Sequence, residues 1–337
     1  METIRVPFRE MEEKFQQILL KNNFSDERAA ECARIFAENS LDGIYSHGVN
    51  RFSRFIDFVE KGLIKPNAEP KLSTSAGAIE QWNGKLGPGP LNAHFCTNRA
   101  MQLAEENGMG CVAVAYTNHW MRGGRYGWQA AQNGFAFIGW TNTEANMPAW
   151  GAKDVRLGNN PLVFAVPYGK EAIVLDFAMT QFSYGKLETY QMEGKPLSLP
   201  GGFDEKGNLS NSPDAILRSR RPLPIGYWKG SGLSLLLDLL AVILSAGLST
   251  KQLSERDEEY GVSQVFIAFD LKKIDTCPSI GSKISEIIHH VKQSEPDENI
   301  DDIRYPGEGV LRVRKTNLEK GIPVHRGIWQ DILNLRA

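Results

Sequence analysis

The chain has few cysteines, and they are scattered. Its 337 residues include four, which are Cys32, Cys96, Cys111 and Cys277, with no Cys-x-x-Cys pair. This pattern argues against a disulfide framework and a cysteine-based zinc site, so we expect reduced thiols in a core. The residues after Met1 also lack the apolar run of a signal peptide, which predicts a cytoplasmic protein.

The chain lacks an excess of either charge. Its formal net charge is -2 and its pI is near 6.3, so no basic surface for nucleic acid or an anionic membrane is expected. The longest apolar segment, Leu233 to Ala246, is too short to span a bilayer and is interrupted by Asp238. We interpret it as a buried helix of a soluble protein, with no membrane partner.

A glycine-rich dinucleotide fingerprint is missing as well. No G-x-G-x-x-G motif follows any segment that has the pattern of a strand. Either the chain binds no dinucleotide, or it binds one through a fold other than the Rossmann type.

The hydrophobic pattern predicts a mixture of helices and strands. A helical region comes first, and a region of alternating strands and helices begins near residue 111. Predicted helices cover 9–22, 27–42, a segment ending near Leu63, 91–107, a segment ending near Gly134, 229–246, 281–293 and a final segment from about Ile328. Predicted strands cover 78–82, 111–116, 135–140, 162–166, 173–177 and 262–269, and a surface loop is expected at 200–213.

The stretch from Tyr45 to Phe52 is the strongest candidate for chemistry. It places Ser46, His47 and Gly48 in a row, with Arg51 four residues after the histidine. In a helix, positions 47 and 51 share a face. An imidazole that titrates near neutral pH beside a carboxylate-binding guanidinium is what a 2-keto acid reductase needs. The alternative is a buried structural histidine with a surface arginine.

Two further candidates lie at strand ends. Asn118-His119 follows a predicted strand, a common position for ligand contacts, although a lone histidine there is more often structural. Asp176 ends another strand, where its carboxylate could orient a histidine in an acid/base dyad or cap the next segment.

The start of the long apolar helix is the best phosphate site in the sequence. Lys229-Gly230-Ser231-Gly232 would expose backbone N–H groups at the positive end of a helix, and Lys229 adds a charge. Close packing at a helix start is the alternative. The acidic cluster Asp257-Glu258-Glu259 is interpreted as a solvated face.

Taken in order, these motifs resemble the type 2 malate/L-lactate dehydrogenase family of NAD(P)-dependent oxidoreductases. The resemblance covers nearly the whole chain. It is carried by Ser46-His47-Gly48 with Arg51, Asn118-His119, Trp150-Gly151, Asn159-Asn160-Pro161, Asp176, Lys229-Gly230 and Pro306-Gly307-Glu308.

The resemblance implies a non-Rossmann α/β fold, with a mixed, largely antiparallel sheet flanked by helices. It implies a helical part in residues 1–70 that carries the catalytic motif and packs with 303–337, and a cofactor-binding sheet in 71–302. NADH or NADPH would be the cofactor. The cofactor-binding residues that it implies are Ala172, Ile173, Val174, Leu175, Asp176, Phe177, Ala178, Trp228, Lys229, Gly307, Glu308 and Gly309.

The resemblance also implies that His47 donates a proton to the substrate. The catalytic residues would be His47, Ser46, Arg51, His119 and Asp176, with Arg51 or Arg122 on the substrate carboxylate. The nearest subgroup reduces a six-carbon 2,3-diketo sugar acid. A dehydrogenase of malate, L-lactate or ureidoglycolate, and a sugar-acid binding protein without turnover, are the alternative functions.

The family resemblance also implies a homodimer. Phe52, Phe55 and Phe58 look too many for one short helix to bury within its own subunit, which suggests that a second chain covers them.

Overall fold

A computed structural model describes residues 2–274, 280–298, 300 and 302–335. Its strands are β1 (Thr3–Val6), β2 (Lys71–Ala76), β3 (Ile79–Asn83), β4 (Met109–Thr117), β5 (Phe135–Thr141), β6 (Met147–Pro148), β7 (Val155–Leu157), β8 (Leu162–Tyr168), β9 (Glu171–Phe177), β10 (Gly202–Phe203), β11 (Leu209–Ser210), β12 (Val262–Asp270) and β13 (Ile322–His325). Cys277 lies outside the described residues, and Cys32, Cys96 and Cys111 are buried free thiols, as expected.

Helices precede, separate and follow these strands. They are α1 (Phe8–Lys21), α2 (Asp26–Leu41), α3 (Val49–Glu60), α4 (Gly89–Asn107), α5 (Gly124–Gln132), α6 (Tyr184–Met192), α7 (Pro213–Ser219), α8 (Trp228–Ser245), α9 (Thr250–Leu253), α10 (Leu271–Ile274), α11 (Ile280–Lys292), α12 (Glu308–Lys320) and α13 (Arg326–Asn334), with a 3-10 turn at Tyr45–His47. The predicted α/β class is confirmed.

A mixed seven-stranded sheet forms the centre of the molecule. Its order is β2-β3-β4-β12-β5-β8-β9, and only the β3–β4 pairing is parallel. Strands β4 and β12 lie in the middle, where nearly continuous apolar runs suit burial on both faces. Helices α4 and α5 cover one face, and α8 packs on the other. The predicted, largely antiparallel sheet is therefore confirmed.

A separate core joins the two ends of the chain. β1 pairs with β13, and one hydrophobic cluster draws its side chains from residues 6–64 and 322–332, with Leu91 and Met121. Phe52, Phe55 and Phe58 belong to this cluster and are buried within their own chain. The argument that these aromatics need a second subunit is therefore wrong. The proposed domain boundaries stay a prediction.

Two local predictions were also wrong. The apolar segment 233–246 is helical, but most of its leucines face outward, and Ile243 is 68% exposed. Segment 200–213 holds the short β10–β11 hairpin instead of a plain loop. The sequence pattern also did not predict α6, α7 or α12.

Close packing between α2 and the start of α3 fixes the candidate catalytic turn. Ser40 Oγ accepts a hydrogen bond from the backbone N–H of Val49, at 2.8 Å, and Asn39 Nδ2 donates to the carbonyl of His47, at 2.9 Å. A Cβ added to Gly48 would lie 2.2 Å from Ser40 Oγ. Glycine is thus required for α3 to approach α2 this closely.

Gly48→Ala is expected to destabilise the fold by about 1–3 kcal/mol, the usual cost of overpacking a core. Gly281→Ala is the control, because Gly281 lies in α11 with open space around its Cα, and alanine favours a helix. Urea unfolding followed by circular dichroism measures both. A Gly48→Ala protein with the wild-type midpoint would contradict this account of the turn.

Candidate active site

The histidine motif and the loop after β4 meet in space. The rings of His47 and His119 stack with centroids 5.6 Å apart and an interplanar angle of 14°. Ser46 Oγ lies 3.1 Å from His47 Nδ1. His119 Nδ1 accepts a hydrogen bond from the backbone N–H of Met121, at 3.0 Å. The neutral His119 ring therefore carries its proton on Nε2, where it can donate to a ligand.

Burial and positive charge keep both imidazoles neutral. Burial, followed by the charges of Arg51 and Arg122, lowers the pKa of His47 to about 4. The pKa of His119 is also lowered well below its ordinary value, first by burial and then by Arg51. His47 is therefore neutral at neutral pH, and an anion placed beside the two arginines would raise its pKa.

Arg51 and Arg122 differ in what they already bind. Arg122 forms a buried ion pair with Asp42, which also accepts a hydrogen bond from Arg314 Nη1, at 2.6 Å. Arg51 is half-buried, and within the described part of the chain no carboxylate lies at ion-pair distance from it. Burial and the neighbouring Arg54 lower the pKa of Arg51. Of the two arginines predicted for the substrate carboxylate, Arg51 is the one that remains available.

Asp176 does not pair with a histidine in the described structure. Its Oδ2 accepts a hydrogen bond from the backbone N–H of Gly124, at 2.7 Å, at the start of α5. Burial raises the pKa of this carboxyl group, while the Gly124 N–H and the Arg122 charge act against that rise. The geometry therefore matches the capping alternative, although the capped helix is α5 and not the segment that follows Asp176.

The predicted cofactor segments are arranged along β9, the edge strand of the sheet. The backbone N–H of Val174 donates to the carbonyl of Pro306, at 3.1 Å, and that of Ile225 donates to the carbonyl of Met179, at 2.8 Å. Gly307-Glu308-Gly309 therefore follows a residue bonded to the middle of β9, and Trp228-Lys229 follows a residue bonded to the chain just after β9.

Individual residues of these segments differ in accessibility. Ala172 and Val174 are buried, Leu175, Trp228 and Lys229 are exposed, and Ile173, Phe177 and Ala178 are intermediate. Asp176 is exposed as a whole residue, but its carboxyl group is enclosed by protein atoms at the start of α5. Glu308 is already engaged in an ion pair with Lys292. At the start of α8, a Cβ on Gly230 would lie 2.2 Å from the carbonyl oxygen of Ile225, whereas Gly232 and Gly309 have open space around them. Close packing thus explains Gly230 but not Gly232.

Two buried polar atoms without partners in the described residues lie beside β9 and just after it. Trp128 Nε1 and Thr180 Oγ1 have no hydrogen-bond partner within the described ranges, and both residues are buried. Trp128 lies beside Gly307, and Thr180 follows Met179. Unsatisfied buried donors are rare in proteins, so a polar ligand along β9 would satisfy them. The residues present therefore fit an extended nucleotide, and no sequence signal marked these two.

Helix α6 was also missed, and it covers the histidine motif. A Cβ added to Gly185, near the start of α6, would lie 3.0 Å from Ser46 Cβ. Glu188, on the same helix, is among the acids that act on Arg51 through its charge. The weak periodicity of this short helix explains why it was not predicted from sequence.

Comparison with known proteins identifies the family of the chain. A sequence profile described as malate/L-lactate dehydrogenase matches residues 6–333. The chain belongs to this family. It is 45% identical to the 2,3-diketo-L-gulonate reductase of Klebsiella pneumoniae (strain 342), over 98% of this chain and 99% of that protein. Family membership makes it an oxidoreductase acting on a CH–OH group with a nicotinamide cofactor.

Solved structures agree on the fold. The malate dehydrogenase of Entamoeba histolytica superposes with a TM-score of 0.93 at 23% identity, over 99% of this chain and 97% of that one. The sulfolactate dehydrogenase of Methanocaldococcus jannaschii gives a TM-score of 0.89 at 26% identity, over 98% and 96%. The first of these identities is low enough that the likeness shows the fold alone.

Arg51→Gln is expected to raise the pKa of His47 from about 4, because a repelling cation is lost, but to leave it below the ordinary value of about 6.5, since burial is the larger cause. NMR titration of the histidine ring protons measures this value.

Arg54→Gln is the matched control. Arg54 lowers the pKa of His119 but is not among the causes of the His47 shift. An unchanged His47 pKa in Arg51→Gln would show that the two side chains do not interact.

Proposed function

We propose that this protein reduces 2,3-diketo-L-gulonate to 3-dehydro-L-gulonate, with NADH or NADPH as cofactor. The relatives at 43–45% identity, over nearly the full length of each chain, carry that reductase name. The stacked His47–His119 pair beside the uncommitted Arg51 is the observation that carries the proposal, since these groups suit a 2-keto acid.

His47 is the proposed proton donor. A nicotinamide held along β9 would supply the hydride for the C2 carbonyl carbon, and negative charge would then develop on the carbonyl oxygen. An acid positioned at that oxygen typically contributes about 10²–10⁴-fold to the rate. Because the His47 pKa is low in the free chain, pairing of a substrate carboxylate with Arg51 would raise it and favour the protonated ring. Ser46 orients this ring through Nδ1.

His119 and Arg51 would hold the substrate. His119 Nε2–H can donate to the carbonyl oxygen or to the neighbouring hydroxyl. Arg51 pairs with the C1 carboxylate, for which a planar guanidinium provides parallel hydrogen bonds. Arg122 instead fixes the loop that carries His119, through its buried pair with Asp42.

The cofactor would lie along β9. Residues 172–178 supply the strand, Gly307 and Gly309 leave room beside it, and Lys229 offers a positive charge for the pyrophosphate at the start of α8. An anion at a helix start gains roughly 0.3–1 kcal/mol when exposed and up to about 2 when partly buried. Asp176 is proposed as a structural member of this site, since it caps α5 next to the strand.

We also propose a cytoplasmic homodimer. The outer face of α8 exposes a contiguous apolar row, and soluble monomers rarely expose large patches of this kind. This row consists of Leu233, Leu235, Leu236, Leu239, Leu240 and Ile243. The helix has the length and hydropathy of a membrane span. However, Asp238 on its inner side accepts hydrogen bonds from Asn142 and Thr250. A helix fixed to its own sheet in this way favours a second copy over a bilayer.

An absorbance assay at the nicotinamide band tests the function. The protein is expected to oxidise NADH or NADPH in the presence of 2,3-diketo-L-gulonate. His47→Ala is expected to lose at least 10²-fold in kcat, the lower end for a general acid, with cofactor affinity by fluorescence unchanged. His289→Ala, on the exposed surface of α11, is the control.

Oxidation only with other keto acids would assign the chain to another 2-hydroxy acid. No oxidation with any keto acid would favour a binding protein without turnover.

Sedimentation velocity tests the dimer. The wild-type chain is expected to sediment as a dimer, and Ile243→Asp as a monomer, because a charge in an apolar interface is costly to desolvate. Leu209→Asp is the control, since Leu209 is 53% exposed on the β10–β11 hairpin and does not belong to the apolar row of α8. A monomeric wild-type chain that is active at assay concentration would rule the dimer out.

A further inference from the structure

The acidic cluster before β12 divides between the surface and the candidate active site. Glu258 faces outward and forms ion pairs with Lys61, at 2.9 Å, and Arg54, at 3.5 Å. Glu259 turns inward, and its Oε2 accepts a hydrogen bond from the backbone N–H of Glu144, at 2.9 Å. The expectation that the whole cluster is a solvated face is therefore wrong for Glu259.

Glu259 lines a recess next to two of the candidate catalytic groups. Arg51 and His119 line this recess too, and α3 forms one of its walls. Asn118 also lines it, and Asn118 Oδ1 is a buried acceptor without a partner among the described residues. The recess thus presents two kinds of oxygen acceptor, next to the arginine that is available for a substrate carboxylate.

The two charged groups of the recess favour different groups on a ligand. Arg51 only donates hydrogen bonds, so it suits a carboxylate. An ionised Glu259 only accepts them, so it suits a donor such as a hydroxyl group and repels a second carboxylate. A keto acid whose remaining chain carries hydroxyl groups satisfies both, whereas a dicarboxylic keto acid does not.

Opposing effects act on the charge of Glu259, and burial is the largest of them. Burial raises the pKa of this carboxyl group, while the Glu144 N–H and the charges of Arg51 and Arg54 act in the opposite direction. The Glu144 N–H occupies Oε2. Oε1 makes no hydrogen bond within the described structure.

We propose that Glu259 determines specificity, by accepting hydrogen bonds from the hydroxyl groups of a polyhydroxylated 2-keto acid. This inference rests on the proposed function and names the residue that separates a sugar acid from simpler keto acids.

Glu259→Gln tests the proposal, because glutamine keeps the shape and can still accept the Glu144 N–H. The probes are 2,3-diketo-L-gulonate and 2-oxohexanoate, which has the same chain length without hydroxyl groups. We expect kcat/KM for the sugar acid to fall about ten- to a hundredfold, the range for loss of a charge-assisted hydrogen bond. The value for 2-oxohexanoate should stay within about threefold. If wild type does not turn over 2-oxohexanoate, its inhibition constant against the sugar acid replaces kcat/KM.

Glu258→Gln is the matched control, since it removes the neighbouring charge at the surface. Glu258→Gln should leave kcat/KM unchanged for both the sugar acid and 2-oxohexanoate. Oxaloacetate adds a second carboxylate, so Glu259→Gln should improve its kcat/KM by removing the repulsion.

Equal losses of kcat/KM for the sugar acid and 2-oxohexanoate in Glu259→Gln would overturn the proposal. Glu259 would then act through Arg51 or through the stability of the fold. No loss for either would also overturn it. A wild-type protein that reduces other keto acids but not the sugar acid would overturn the proposed substrate, and this inference with it. The two failures are therefore distinguishable.

Discussion

The carboxylate of Asp42 is the contact on which the geometry of the site depends. It pairs with Arg122 on the loop that carries His119, and with Arg314 on α12. Asp42 itself ends α2, shortly before His47. One buried group thus holds three distant parts of the sequence in register. Removing one partner of a buried pair typically costs about 3–5 kcal/mol, which makes this junction rigid compared with the exposed ion pairs.

The same junction leaves positive charge in the recess. Arg122 is balanced by Asp42, but Arg51 meets Glu144, Glu188 and Glu259 only at longer range. His47 and His119 stay neutral, because burial and the arginine charges both lower their pKa values. In the proposed mechanism, an anion bound at Arg51 would raise the pKa of His47. Substrate binding and acid catalysis would then depend on the same charges.

The edge of the sheet is the proposed place for a nucleotide in a chain that has no glycine-rich fingerprint. Edge strands leave backbone groups unpaired, which proteins usually cover or block. Here the Pro306 carbonyl accepts a hydrogen bond from Val174 of β9, and the Ile225 N–H donates one to the carbonyl of Met179, just after the strand. The remaining polar atoms, together with Trp128 and Thr180, offer a surface for an extended ligand. Because the pieces come from residues 128, 172–180, 225–232 and 306–309, no short motif could record them.

Local pattern in the sequence was sufficient for much of the architecture. The hydrophobic pattern predicted the helix that ends near Leu63, which corresponds to α3, and the apolar runs predicted β4, β5 and β12. The order of short motifs, with His47, His119 and Lys229 among them, pointed to the family. These signals depend only on neighbours along the chain, so they can be read without a structure.

Tertiary contacts decided the rest. The sequence could not show that most leucines of α8 face outward. Hydrophobicity indicates that a side chain favours burial, but not whether its own chain or another molecule covers it. Nor could the sequence show that Glu259 and Glu258 have different surroundings, because the two adjacent residues have the same side chain. The difference arises from the fold, which places Glu259 against the Glu144 N–H and Glu258 against Lys61. The sequence also could not choose Arg51 over Arg122, because that choice depends on Asp42, which is distant in sequence. Local propensity determined which elements form, whereas long-range charge pairing and burial determined which of their residues face the site.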